Sequence, residues 1–247
     1  MSDPFGRHSI NHLSPSSLAL YRAEPHLWCL RYLHRIPDEA DKPAAWRGSA
    51  VETGLDAYLY GATPEESLTK AQEAFEMNAQ GEIGEKLDKQ RDVLASCLRS
   101  AIAAFDGKIV TPNARQMKIE AWVDGVPVPV MGYVDYTWPD YLLDLKTTER
   151  RPSKPSADHL AQIATYHRAL KRQPKLLYAA PSGFAWFSPT EDEVNEAWRT
   201  IEMSARALMR MLTRVESAND ASALFAPRFD DFRWTPQLKE HALKLIA

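Results

Sequence analysis

The sequence contains few cysteines, no long apolar run and little excess of charge of either sign. Its 247 residues include two cysteines, Cys29 and Cys97, which lie far apart in the chain. This excludes a disulfide framework and a cysteine-rich metal site, and it favours a reducing compartment. No apolar run approaches the roughly 18 residues of a membrane span, and the polar N-terminus lacks the apolar core of a secretory signal. We therefore expect a cytoplasmic protein that makes no membrane contact.

Several common catalytic motifs are also missing from the sequence. It contains no GxxxxGK[ST], GxGxxG, HExxH or GxSxG string. Each of these strings has a mechanical role, in cradling phosphates, holding zinc or exposing a nucleophilic serine. Their absence disfavours a nucleotide kinase, a dinucleotide-dependent dehydrogenase, a zinc peptidase and a serine hydrolase.

Charge is distributed unevenly, although the net charge is only −3. Residues 146–175 carry eight basic and two acidic side chains, a local charge of +6, which leaves −9 for the remainder of the chain. Such a patch can contact phosphates without making the whole protein bind polyanions. A solvated helix face is the alternative interpretation, and the composition leaves both open.

The hydrophobic periodicity predicts an α/β fold. Strand-like alternation indicates a mixed or mainly antiparallel sheet flanked by helices. The predicted helices cover residues 14–34, 47–61, from 63, 83–106, 156–172, 189–216 and from 235. The predicted strands cover residues 115–124, 128–138, 141–147, 175–180 and 183–188.

Two aspartates interrupt the most strand-like part of the sequence. Alternation in the run LLDLK places Asp144 and Lys146 on one face of a strand. A two-residue turn at Pro139-Asp140 would set Asp135 opposite Asp144, although proline fits such a turn poorly. Opposed, buried like charges destabilise a sheet unless a cation lies between them. The pair therefore suggests Mg²⁺ or Mn²⁺; the alternative is an Asp–Lys pair on an exposed sheet face.

Four further polar residues are candidates for the same site. Gln162 and Tyr166 lie one turn apart on the helix that follows, away from its apolar stripe. Glu120 lies within a predicted strand and Glu52 within an early helix. For each of the four, an ordinary solvent-exposed position is the alternative.

The motifs GYVDY, LLDLKT and QIATY, in this order, resemble the core of the PD-(D/E)xK nucleases. The most similar branch is that of the RecB-type nuclease domains, the phage exonucleases and the CRISPR-associated exonucleases. The segments SPSSLALYRAEPHLWCLRYL and RGSAVETGLDAYLYG resemble the opening of that branch, so the resemblance spans residues 13–170. It implies a restriction-endonuclease-like core in a single domain. Within it, residues 1–110 would form a helical portion, 111–190 the catalytic sheet and 191–247 the C-terminal helices.

The resemblance also implies roles for individual residues. Asp135 and Asp144 match the metal-binding aspartates, and Lys146 matches the catalytic lysine. Gln162 and Tyr166 match residues that shape the site near DNA.

One glutamate matches the family pattern loosely. A second glutamate and the cysteine content depart from it. Glu120 matches a frequent glutamate on the preceding strand, as a further metal ligand. Glu52 stands where many members have a histidine ligand, which puts the metal preference in doubt. Iron–sulfur members have a first cysteine where this chain has Glu24 and three more near the C-terminus, so we expect no iron–sulfur cluster.

The resemblance implies a metal-dependent DNA nuclease, by analogy an exonuclease in recombination, repair or phage DNA processing. Its substrate would be DNA ends or single strands without sequence specificity, with a recombination protein as a possible partner. Phosphate contacts are expected from Arg150, Arg151, Lys154, Lys171 and Arg172. Two alternatives stay open: a catalytically silent DNA-binding or assembly module on the same fold, and an unrelated α/β interaction domain.

Overall fold

The computed structural model describes residues 3–37, 43–105 and 111–246, and within them helices flank one five-stranded sheet. The helices are α1 (Pro4–Arg7), α2 (Pro15–Ala23), α3 (Pro25–Tyr32), α4 (Pro43–Leu59), α5 (Pro64–Ala79), α6 (Glu85–Ala103), α7 (Ala157–Leu170), α8 (Glu191–Arg214), α9 (Ala218–Ala223) and α10 (Pro236–Ile246). The strands are β1 (Ala114–Ala121), β2 (Val130–Thr137), β3 (Tyr141–Thr147), β4 (Gln173–Ala180) and β5 (Gly183–Phe187).

The sheet is mixed, and its strands lie side by side in chain order. Pairing is antiparallel between β1 and β2, β2 and β3, and β4 and β5, whereas β3 and β4 are parallel. Parallel neighbours need a crossover, and α7 supplies it. The predicted α/β class, with a mixed sheet between helices, is confirmed.

The turn between β2 and β3 has the register that the sequence suggested. Thr137 pairs with Leu142, and the amide of Trp138 donates to the carbonyl of Tyr141 at 2.9 Å. Two residues, a proline and an aspartate, therefore form the connection despite the poor fit of proline to such turns.

One predicted helix is broken in the structure. The helix expected over residues 14–34 divides into α2 and α3 at Glu24, because Pro25 cannot donate the next intrahelical hydrogen bond and restricts the residue before it. Prolines begin several of the other helices in the same way, since an N-terminal position needs no amide donor.

Three hydrophobic clusters fix the layers. Helices α4, α5 and α6 cover one face of the sheet, and the inner side of α7 covers the other. The outer side of α7 packs against α2 and α8, in a cluster that also includes α3 and α10. The amide of Leu13 donates to the carbonyl of Pro129 at 2.8 Å, which ties the N-terminal segment to the start of β2. Within the described residues, no helix is both long and apolar enough to cross a membrane.

Helix α7 approaches the sheet closely at Gly132 in β2. A Cβ atom at this position would lie 2.5 Å from Cε1 of Tyr166. That separation is far below van der Waals contact, so the ring can lie against the strand only because residue 132 has no side chain. This contact sets the distance between α7 and the aspartate-bearing strands.

We expect Gly132→Ala to lower the free energy of unfolding by about 1–3 kcal/mol, because the Tyr166 ring must move out of a packed position. Urea unfolding measures the change. Gly48→Ala in α4 is the matched control, since its new methyl group would lie 3.4 Å from Oγ1 of Thr147, an ordinary contact. Equal stabilities of the two variants would show that the close approach of Tyr166 to β2 is not required.

Candidate active site

Asp144 is the most completely buried charged side chain of the central strand β3, with 0% exposure. Its Oδ2 atom lies 2.8 Å from Nζ of Lys146, whose side chain is 20% exposed. Among the described residues, neither oxygen has a hydrogen-bond partner of good geometry. A buried carboxylate with so little compensation is costly, so this position is under strong electrostatic constraint.

Asp135 lies beside Asp144 because the β2–β3 register, which pairs Tyr136 with Leu143, sets the two aspartates opposite each other. The regular alternation of β2 changes just before Asp135. Val134 packs with α7 on one face, whereas Tyr136 packs with α4 on the other, although the two have the same parity. The carboxylate of Asp135 accepts a hydrogen bond from the amide of Leu145 at 2.7 Å, so a side chain takes the place of a backbone partner where the β2–β3 ladder ends. Burial, together with the nearby charge of Asp144, raises the pKa of Asp135 well above its ordinary value.

Glu52 in α4 completes a group of three acids, and Gln116 in β1 connects it to Asp135. The Gln116 side-chain amide donates to Oε1 of Glu52 and, at 3.2 Å, to Oδ1 of Asp135. Gln116 has a φ of 44°, a left-handed conformation that is unusual for a residue other than glycine. Burial raises the pKa of Glu52, and the charge of Asp144 adds to this shift while the Gln116 hydrogen bond opposes it.

Lys146 is held between the acids and helix α7. Its Nζ donates to Oε1 of Gln162 at 2.9 Å, and Nε2 of Gln162 donates to the Tyr166 hydroxyl at 2.6 Å. Burial alone would lower the pKa of Lys146, but the attraction of Asp144 and the other acids outweighs it, and the pKa is raised. Lys146 is therefore a protonated hydrogen-bond donor in a fixed position.

The donor set fits a divalent cation. Three carboxylates lie near one another, and a buried oxygen of Asp144 has no hydrogen-bond partner among the described residues. In the described part of the chain, no three of these side chains converge as a finished set of metal ligands. Lys146 and Gln116 contact carboxylate oxygens of the group. Small, hard oxygen donors suit Mg²⁺ or Mn²⁺, and Asp135, Asp144 and Glu52 are the residues that would hold the ion.

Glu120, by contrast, is not brought to this cluster. It is exposed and lies 3.3 Å from Lys118 on the same strand. Four residues, about 13 Å of strand, separate it from Gln116, which is the β1 residue that contacts the acids. Glu120 therefore has the solvent-exposed position that the sequence offered as the alternative to a metal ligand.

The predicted basic residues lie in two groups, at opposite ends of α7. Arg150, Arg151 and Lys154 are exposed just beyond the end of β3, on the side where α7 begins. Lys171 and Arg172 follow the other end of α7, and 14 residues of helix separate the two groups by about 20 Å. That these residues contact phosphates stays a prediction for both groups.

Three residues of the site escaped sequence reasoning. For Gln116, the only feature of the sequence that could have indicated a place in the site is its position in an alternating strand. Arg47 in α4 is 3% exposed and donates to Oε1 of Gln90 and, at 3.3 Å, to the carbonyl of Thr147, which fixes the end of β3. His159 in α7 lies 2.6 Å from the Tyr178 hydroxyl, and burial lowers its pKa. No motif in the sequence marks either of these two residues.

Comparison with known proteins gives a family. The sequence profile of the PD-(D/E)XK nuclease superfamily matches residues 12–242. Among solved structures, that of SSO0001 is similar over 59% of this chain and 87% of its own, with 15% identity and a TM-score of 0.31. No curated protein matches the sequence.

Asp135→Asn should raise the stability of the metal-free protein at pH 7 relative to the wild type. Because the folded pKa of Asp135 is raised, the wild type loses stability as the pH rises above about 4, the ordinary pKa of aspartate. The difference in free energy of unfolding between variant and wild type should therefore be small near pH 4 and grow towards pH 7. Urea unfolding in EDTA at several pH values measures it, with exposed Asp140→Asn as the control. A difference that does not change with pH would contradict the repulsion between the acids.

Proposed function

Because the chain belongs to the PD-(D/E)XK nuclease superfamily, we propose that it is a divalent-metal-dependent DNA nuclease. The observation that carries the proposal is the fully buried Asp144 beside Asp135 and Lys146. A sheet that only had to be stable would not keep such a group, because replacing a poorly compensated buried charge is usually favourable. Binding of a cation would compensate the negative charge of these carboxylates.

The proposed roles follow from the contacts. Asp135, Asp144 and Glu52 would hold Mg²⁺ or Mn²⁺, an ion that would supply an acidified water and a polarised phosphate. Lys146, kept protonated by the acids, donates to the attacking water or to a phosphate oxygen and stabilises developing negative charge. Gln162 holds Nζ of Lys146 in place, and Tyr166 holds Gln162. We propose no role for Glu120.

We further propose that the substrate is DNA without sequence preference. Arg150, Arg151 and Lys154 continue directly from the catalytic strand and would contact phosphates, which position a nucleic acid without reading its bases. The proposal of an exonuclease in recombination, repair or phage DNA processing, acting in the cytoplasm with a recombination protein as partner, rests on the family resemblance.

An iron–sulfur cluster is not part of the proposal. The position of the first cysteine in iron–sulfur members is occupied by Glu24, which is 1% exposed and lies 3.1 Å from Arg228 of the C-terminal segment. The two cysteines, Cys29 and Cys97, are buried in different clusters. An ion pair thus joins the N- and C-terminal segments at this point.

Asp144→Ala should abolish Mg²⁺- or Mn²⁺-dependent cleavage, because it removes the central carboxylate. End-labelled linear DNA and covalently closed circular DNA are the two substrates, and an exonuclease cuts only the first.

Glu52→His should keep activity with an altered Mg²⁺/Mn²⁺ preference, and Glu52→Ala should lose most of it. Glu120→Ala is the control and should cut like the wild type. DNA binding without cleavage in the wild type would instead indicate the silent binding module.

Replacing Arg150 and Arg151 with alanine should weaken DNA binding by a similar factor on unrelated sequences. Each phosphate contact removed should flatten the slope of log affinity against log salt by about 0.7–0.9. Lysine replacements should cost less, since they keep the charge. The double alanine variant of Lys171 and Arg172 removes the same charge at the far end of α7 and tests the second predicted group separately. An unchanged slope for the first variant would place the DNA path elsewhere.

A further inference from the structure

His159 lies at the candidate active site, but the proposed chemistry gives it no role. It precedes Gln162 by one turn of α7, and both side chains line a cavity of about 730 Å³ beside α2 and α3. Gln162 in turn contacts Nζ of Lys146 at 2.9 Å. Positions three apart on a helix are about 5–6 Å from each other. His159 is therefore within one turn of the place where Lys146 would meet a scissile phosphate.

Tyr178 holds the His159 ring from the side of the sheet. In the parallel β3–β4 pairing Tyr178 is the partner of Lys146, so both side chains leave the sheet on the same face and at the same level. Tyr178 is 2% exposed, and its hydroxyl lies 2.6 Å from Nδ1 of His159. The imidazole is thus fixed, through a buried phenol, to the strand next to the catalytic one.

The hydrogen bonds of Tyr178 determine which nitrogen of His159 carries the proton. Burial raises the pKa of Tyr178, and hydrogen bonds from the amide and hydroxyl of Ser156 oppose that shift. The phenol oxygen therefore accepts from Ser156, and its own proton is directed to Nδ1 of His159. Burial and the charge of Lys146 lower the pKa of His159. The ring is then neutral, with its single proton on Nε2.

Nε2 of His159 is a donor that the protein leaves open. Among the described residues it has no hydrogen-bond partner, and the ring borders the cavity. A neutral donor suits this place, because a second cation would be repelled by the protonated Lys146. A phosphodiester oxygen, which only accepts hydrogen bonds, is the complementary group on a nucleic acid.

We propose that His159 donates a hydrogen bond from Nε2 to the phosphate next to the scissile one, and that Tyr178 is the positioning residue that directs this donor. The proposal rests on the proposed nuclease function and adds a substrate-binding residue to it. Because the contact is made to a phosphate that does not react, it strengthens binding of the substrate and of the transition state equally.

The first test measures DNA affinity in EDTA at about pH 7.5, with a fluorescent oligonucleotide. An asparagine amide reaches about as far as Nδ1 and a glutamine amide about as far as Nε2. His159→Asn can therefore keep the Tyr178 contact but loses the donor in the cavity, and it should bind about 10- to 100-fold more weakly. His159→Gln should restore most of the affinity. Equal affinity of His159→Asn and wild type overturns the proposal.

His167→Asn is the matched control. His167 is half-buried in the same helix, and its Nδ1 lies 2.8 Å from the carbonyl of Arg172. Eight residues, about 12 Å of helix, separate it from His159. This variant should bind DNA like the wild type.

Nitrogen-15 NMR of the histidine rings tests the contact directly, with His159→Gln identifying the signal. The free wild type should carry the His159 proton on Nε2, and Tyr178→Phe should lose this preference. The dinucleotide d(TpT) should shift the Nε2 resonance, whereas its uncharged methylphosphonate analogue should not. Equal shifts with both compounds, or none with either, would contradict a phosphate contact.

Cleavage with Mg²⁺ separates this proposal from the nuclease function. His159→Asn should raise KM by about the factor lost in affinity and leave kcat nearly unchanged. If no protein cuts DNA while the His159-dependent affinity and the d(TpT) shift remain, the nuclease function is rejected and the phosphate contact is kept. If His159→Asn binds and cuts DNA like the wild type, the nuclease function is kept and the role of His159 is rejected.

Discussion

The charge of Asp144 is the constraint on which the arrangement of the site depends. A carboxylate with no solvent exposure in the central strand of a sheet must be compensated within a few ångströms. Lys146 supplies part of that compensation by ion pairing, but Asp135 and Glu52 add negative charge to the same region. The Leu145 amide and the Gln116 side chain donate hydrogen bonds to the acids. The side-chain oxygen of Gln162 accepts one from Lys146, the residue that offsets part of their charge.

The fold meets this constraint by local departures from regular structure. Gln116 takes a left-handed backbone conformation in β1, and Asp135 replaces a ladder hydrogen bond with a side-chain one. Both departures occur at the same level of two neighbouring strands, since the β1–β2 register would set Gln116 opposite Asp135. Strain of this kind persists only where the surroundings hold it, and the side chain of Gln116 is bound to Glu52 and Asp135.

Sequence patterns predicted what depends on local periodicity. The α/β class, the mixed sheet and the β2–β3 register followed from alternation and from one two-residue turn, and the structure has all three. Glu120 shows the limit of that reasoning, because alternation gives the face of a residue but not its distance along the strand from the acids. Gln116 and Arg47 contribute through tertiary contacts, which no local pattern encodes.

The two-residue turn between β2 and β3 also has a kinetic consequence. A hairpin with so short a loop closes in microseconds, whereas the parallel β3–β4 pairing and the bridge from Leu13 to Val130 must wait for closure of longer loops. The hairpin therefore brings Asp135 and Asp144 together while solvent and salt still screen their charges. Their repulsion takes effect later, when α4 and α7 exclude water, so it opposes consolidation of the native state more than formation of the turn. Divalent ions present during refolding would act on that late step.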